Sequence, residues 1–479
     1  MTVLRGLPAT GALALFACAV LLAWLLGVGT ATAEGLVAQG LAAAAAGVLA
    51  LVMYCLPAGQ GNGAGETNDL SVMTLLAAAL AAVLGLQLVP LPADWLPASV
   101  PRVNIVRERA VLDGSAPAFL PASLSPGLTL KAMGSLSVVF FAAGAARLVP
   151  ERAFRTCVES ALHLLAIASS LVALLQALGL QEGLPVWDYT NNAPSGFFAN
   201  SNHLATLAVM SLSLAGYGLA IRWRAGRLRG RHAARPLNLL RAVAVLFAGL
   251  GVVLSGSLAG YGLAGGVSLY LAVRATRRPS PIGVHHLFVV GVSAALVAGW
   301  VYLLAAALVP VGALSGVPDI AGVNARPDVW LRGLTVLRDN WITGIGAGAF
   351  TVADPFYVSE GRLTAEFANE LHNDILSLPL EVGFAGLVIL TPAIVFALRQ
   401  LWHLADCAMG GGSGSASGSA SAQMAFLLPM MVALLHSGVD YPLRNPFMLF
   451  VFALCAACAL CNIRARNRIE RLKTRTVTL

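Results

Sequence analysis

The 479 residues are 58% hydrophobic and 11% charged, with a net charge of +8. A soluble domain is about one quarter charged, so the composition excludes one and describes an integral membrane protein. The positive charge does not point to nucleic acid, because its placement along the chain is one that a membrane explains.

Apolar runs of roughly 17–25 residues recur, the length a helix needs to cross about 30 Å of hydrocarbon. They are rich in Ala, Leu, Val and Gly and lack period-two alternation, which predicts helices and not a membrane barrel. About twelve spans follow, near residues 11–28, 36–56, 70–90, 130–148, 157–178, 203–221, 241–255, 260–273, 286–309, 373–398, 423–439 and 446–463. The first imitates a signal peptide, with Arg5 before an apolar core and a small-residue ATA after it. Its core is long, so we read an uncleaved span.

With the N-terminus inside, the even-numbered connections and the tails hold Arg5, Arg147, Arg152 and Arg155, and seven arginines between Arg222 and Arg241. They also hold Arg274, Arg277, Arg278, Arg399 and the tail RARNRIERLKTR. This satisfies the positive-inside rule, places both termini in the cytoplasm and sets basic runs against anionic lipid. Glu159 and His163 share the fifth span without an obvious partner. They are the nearest thing to the midplane charges that a twelve-span secondary transporter, the rival reading, would need.

The chain divides into helices one to nine (1–309), a loop (310–372), helices ten to twelve (373–463) and a basic tail (464–479). The loop is too long to be structureless. RPDVWLRGLTVLRDN predicts a helix with Val329, Leu331, Leu334, Val336 and Leu337 on one flank, ended by the glycines of WITGIGAGAF. Those glycines read as a turn that lets backbone pass close to something. GGGSGSASGSASA (410–422) reads as a flexible cytoplasmic linker. Cys455, Cys458 and Cys461 recur every three residues without His or carboxylate and read as packing residues.

The polar words WDYTNNAPSGFFANSNH (187–203), SGSLAG (255–260), the long loop and HSGVDYPLRNP (436–446) all fall on the outer side, which implies one extracytoplasmic site. His372, at the N-terminus of the tenth span, is the first candidate: an imidazole there can take a proton, and free N–H groups welcome a phosphate. Glu370, Asn373 and Asp374 could orient the ring or bind a hydroxyl. Arg326 and Arg444 can pair with a phosphate or carboxylate; the plainer account is snorkelling or a local ion pair with Asp328 or Asp440. Asn200, Asn202 and His203 open the sixth span as caps or as sugar-hydroxyl binders. Asp440 is a further orienting candidate. No His/Asp/Glu set has zinc spacing, so a metal-dependent reaction is not expected; no cofactor is expected either.

In this order, QLVPLP, LSPGLTL, GFFANSNHLA, LSGSLAG, RPDVWLRGLTVLRDNWITGIGAGAF, LHNDILSLPLEVGFAGL and HSGVDYPLRNP resemble the O-antigen ligase and polymerase family of bacterial envelope glycan assembly. The resemblance implies an all-α, GT-C-like fold in the inner membrane with a large periplasmic loop carrying short helices. It implies a metal-independent glycosyltransferase taking a glycan from an undecaprenyl-diphosphate donor. The acceptor is a sugar hydroxyl, on another lipid-linked repeat in polymerases or on lipid A–core in ligases. HSGVDYPLRNP looks more like the polymerases. By position, His372 matches the family's loop histidine, the proposed base, and Arg326 the arginine that holds the diphosphate. Family members usually carry a second arginine where this chain has Leu258. Its loss should cost about 1.5–3 kcal/mol of charge-assisted contact, and Arg444 is the expected replacement.

Overall fold

The structure is a computed structural model that describes residues 33–55, 68–181, 193–224, 236–275, 326–358, 368, 370–389, 391 and 415–460. The expected spans at 11–28 and 286–309 and the tail at 464–479 lie outside the described residues.

Most of the described chain is helical, as apolar segments in lipid must be to satisfy their backbone N–H and C=O groups internally. The apolar runs form α1 (Ala33–Cys55), α2 (Asn68–Leu88), α4 (Pro126–Ser135), α5 (Ser137–Leu148), α6 (Glu151–Ala177), α7 (Ser201–Arg224), α8 (Pro236–Ser255), α9 (Leu258–Ala275), α13 (Ser415–His436) and α14 (Pro446–Leu460). Between α2 and α4 stand a short antiparallel hairpin, β1 (Pro90–Pro92) with β2 (Phe119–Pro121), and α3 (Val100–Asp113). The loop expected to carry short helices holds α10 (Arg326–Asn340) and α11 (Phe350–Ala353), followed by α12 (Asp374–Val382). Among the described residues five helical stretches are long and apolar enough to cross a membrane: Leu70–Leu88, Pro126–Leu148, Glu151–Ala177, Ser201–Trp223 and Pro236–Ser255.

α7 is the centre of the bundle. Leu204, Leu207, Met210, Leu214 and Tyr217 are fully buried, and α6, α8, α9 and α13 pack around it. The buried Cys455 and Cys458 of α14 lie in the same core.

Three expectations change. Glu159 and His163 do have a partner: Arg241 of α8 grips Glu159 with two hydrogen bonds, Nε to Oε1 at 2.6 Å and Nη2 to Oε2 at 2.9 Å. The sequence places Arg241 with the basic residues of an inner connection, at the head of the span expected from 241, but α8 starts five residues earlier and buries it. Gly218 makes room for it, since a Cβ there would lie 2.7 Å from the guanidinium carbon. His163 completes the cluster, with Nδ1 2.9 Å from Ser211 Oγ and Nε2 3.6 Å from Glu159. The linker expected at 410–422 is helical from Ser415 onward; a helix already nucleated in the following apolar run extends at little cost through Ala and Ser. The tenth span, expected as one helix over 373–398, is broken at Gly383, whose φ of 69° and ψ of −151° no helix accommodates.

Candidate active site

Three segments converge at the end of the bundle where α7 begins: residues 370–374 ahead of α12, residues 437–445 between α13 and α14, and Asn200 to Thr206. His372 has a φ of 53°, the one left-handed non-glycine backbone among the described residues. This geometry costs an L-residue about 1–2 kcal/mol, so it persists only where the surroundings hold it. On one side Leu371 is buried and its carbonyl accepts from Trp330 Nε1 of α10 at 2.9 Å. On the other, the Asp374 N–H donates to the carbonyls of Ser437 (2.9 Å) and Asp440 (3.2 Å). Asn373 Nδ2 donates to Gly438 O at 3.0 Å, and its Oδ1 caps α12 by accepting from Leu376 N at 3.0 Å.

The His372 ring sits with Nδ1 3.4 Å from Asp440 Oδ1 and meets the Tyr441 ring edge to face at 4.9 Å. Its side chain is 28% exposed, whereas that of Asp440 is 1% exposed. Asp440 Oδ1 also accepts from Tyr441 N at 2.8 Å and, at the limit of range, from Asn200 Nδ2 at 3.5 Å. Burial alone would push the Asp440 carboxyl up, but the hydrogen bond with His372 and the nearby His203 and His436 rings hold it well below the usual carboxylate range. His203 packs edge-on against Tyr441 at 5.1 Å. His436 Nδ1 lies 2.7 Å from Thr206 Oγ1. Burial, reinforced by Asp440 and Glu370, pushes the Tyr441 hydroxyl above its ordinary value, so it stays protonated.

A second cluster adjoins the first. Arg444 reaches Glu370 Oε2 at 2.9 Å, Glu381 Oε2 at 2.5 Å and Asp374 Oδ1 at 3.8 Å. Burial disfavours the charged guanidinium, but these three carboxylates outweigh it and raise Arg444 above its usual value. Glu381 Oε1 accepts from Gly348 N at 2.9 Å. Asp374 Oδ2 accepts from Ser437 Oγ at 2.8 Å and Leu443 N at 2.9 Å.

The glycine turn is what brings α10 and α12 together. Gly344 has a φ of +67°, and a Cβ there would lie 2.1 Å from the Glu381 carbonyl oxygen. Ile345 N and Gly346 N donate to the Leu380 and Glu381 carbonyls. The close backbone approach expected of GIGAGAF is therefore to α12.

His372, Asp440, Asn200 and His203 come together as one site. Glu370 and Asp374 lie against Arg444 and not against the imidazole; the group on the ring is Asp440. Arg326 opens α10, and its side chain is outside the described residues. Leu258 begins α9, a little over half exposed. Sequence reasoning missed Glu381, Tyr441 and His436 as members. A lone carboxylate in the apolar run ILSLPLEVGFAGL was the available signal for Glu381; His436 and Tyr441 lie within the polar word HSGVDYPLRNP, which was the available signal for them. Among the described residues no group of three or more His, Cys, Asp or Glu side chains is arranged to hold a metal ion.

The fold and site together define an all-α membrane protein with a histidine–carboxylate centre at the helix ends. Residues 242–391 match the family model described as O-Antigen ligase, which supports an O-antigen ligase family assignment for this chain. The match runs from α8 through α10 and the glycine turn to beyond α12, so it includes Arg326 and His372 but not Asp440 or Arg444. It supports membrane glycan processing of the O-antigen ligase or polymerase type. No curated protein matches the chain.

Proposed function

We propose that this protein transfers a glycan from an undecaprenyl-diphosphate-linked donor to a sugar hydroxyl at the periplasmic face of the inner membrane, without a metal. The observation that carries the reading is His372, held in a strained backbone and set against the buried Asp440, inside the stretch that matches the family. The donor already has a good leaving group. What remains is to position two substrates, neutralise the departing charge and remove one proton.

His372 is the base. Asp440 accepts its Nδ1–H and so presents Nε2 to the acceptor hydroxyl. Attack opposite the diphosphate inverts the anomeric centre. Asn200 and His203 bind or orient the acceptor. Arg326, at the head of α10, takes the diphosphate. Arg444, expected to share that role, already has its guanidinium engaged by Glu370, Glu381 and Asp374. We assign Arg444 instead to holding Glu370, Asp374 and Glu381, and through them the glycine turn, in register with His372.

Polymerisation of lipid-linked repeats is favoured over ligation to lipid A–core by HSGVDYPLRNP. His372→Ala and Arg326→Ala should each abolish transfer in proteoliposomes without lowering protein yield; retained transfer in either overturns the reading. Surface glycan from a deletion strain separates the two acceptors. Single-repeat lipid A caps mean a lost polymerase, and unattached long polymer means a lost ligase.

A further inference from the structure

The segment between α2 and α4 has no part in the chemistry above, yet it carries the most exposed large apolar side chains next to a span end. Trp95 is 72% exposed and Phe119 is 62% exposed, with Val111 and Leu112 open at the end of α3. The segment is nevertheless a built unit. Leu96, Leu120 and Ala122 form a small core of their own. Arg102 is buried and staples α3 to the hairpin, donating to the Pro121 carbonyl at 3.0 Å and the Ala122 carbonyl at 2.6 Å.

We infer that residues 89–122 form an interfacial anchor whose Trp95 and Phe119 sit in the headgroup–acyl boundary of the bilayer. Three observations select lipid as the occupant. The unit is continuous with a lipid-facing surface: α2 leaves Leu75 and Leu86 exposed and ends at Leu88, with only Val89 between it and the hairpin. Trp and other aromatic side chains settle at this depth, with apolar rings in the acyl boundary and polar edges in water. The hairpin is also a poor template for a protein strand, since Pro90, Pro92 and Pro121 offer no N–H to an added strand. Its three arginines (Arg102, Arg107, Arg109) are balanced by Asp94, Glu108 and Asp113, so the contact is apolar and not a charge attraction.

The anchor is coupled to the site. Gln87 Nε2, at the foot of the hairpin, donates to the carbonyls of both Thr343 and Glu381 at 2.7 Å. One side chain thereby ties the foot of the hairpin to the glycine turn and to Glu381.

The test uses full-length protein in vesicles containing phosphatidylcholine brominated near the headgroup. Trp95→Phe isolates one of the eight tryptophans by difference. Quenching of wild type should exceed that of Trp95→Phe, and molar salt should not change the difference. Phe119→Trp placed in the Trp95→Phe background should regain the quenching. Equal quenching of wild type and Trp95→Phe overturns the inference, and so does a Trp95 signal quenched by aqueous iodide but not by brominated lipid. A Trp95 shielded from both overturns it in favour of a protein partner.

Discussion

Asp440→Asn isolates what the carboxylate does for His372. The amide keeps the shape, and its oxygen can still accept from Tyr441 N, now 2.8 Å from Oδ1, so the loop should stay folded. The change removes the charge facing His372 Nδ1. A hydrogen bond to a charged partner contributes about 1.5–3 kcal/mol. The 3.4 Å separation is long beside the roughly 2.7–2.9 Å of a strong charge-assisted bond, which selects the lower end. About 1.5 kcal/mol corresponds to a rate loss of about 12-fold, at roughly 1.36 kcal/mol per tenfold. The assay is turnover of a fluorescent lipid-linked oligosaccharide in proteoliposomes at saturating donor, with KM for the donor measured alongside. The expected result is a turnover about tenfold lower and KM within about twofold. Wild-type turnover would refute the orienting role. A loss as deep as that of His372→Ala, expected at about 10²–10⁴, would mean that Asp440 does more than orient.

Four further outcomes follow from the same geometry. His372→Asn should stop transfer yet keep stability within about 0.5 kcal/mol, because Asn tolerates the left-handed backbone, whereas His372→Ile should lose about 1–2 kcal/mol in thermal unfolding. Arg444→Met strands three carboxylates and should destabilise by about 3–5 kcal/mol in detergent, with partial recovery when Glu381→Gln is added. Glu159→Gln, leaving Arg241 buried without its partner, should cost a similar amount; the paired change to leucines should restore stability with transfer intact. Asp440 releases its proton more readily in the folded protein than in the unfolded chain. Its charge therefore stabilises the fold above the unfolded carboxyl value of about 3.9, and the contribution fades as pH falls through the lower folded value. Thermal stability should drop more steeply below about pH 4 in wild type than in Asp440→Asn, and parallel curves would contradict this.

Composition and apolar periodicity made the helices legible: the run expected at 203–221 is α7 at Ser201–Arg224, and the helix expected from RPDVWLRGLTVLRDN is α10. The gathering of the words around Asn200, His372 and Asp440 was legible as well, because a span boundary confines polar residues to a few places. Pairings were not. Glu370 and Asp374 are neighbours of His372 in sequence, yet both face an arginine 74 and 70 positions later, and the ring takes its partner from 68 positions away. Arg241 looked like one more basic loop residue because its burial depends on Glu159, 82 residues earlier on another helix. Periodicity reports which side of an element is apolar, but the choice among several carboxylates is made by tertiary packing.

The ring's partner is made after the ring itself. Ribosomes deliver His372 well before Asp440, and the left-handed turn gains its second support only when the carbonyls of Ser437, Gly438 and Asp440 dock against it. Until the segment between α13 and α14 has been made and has docked, the nascent chain has an imidazole without its carboxylate.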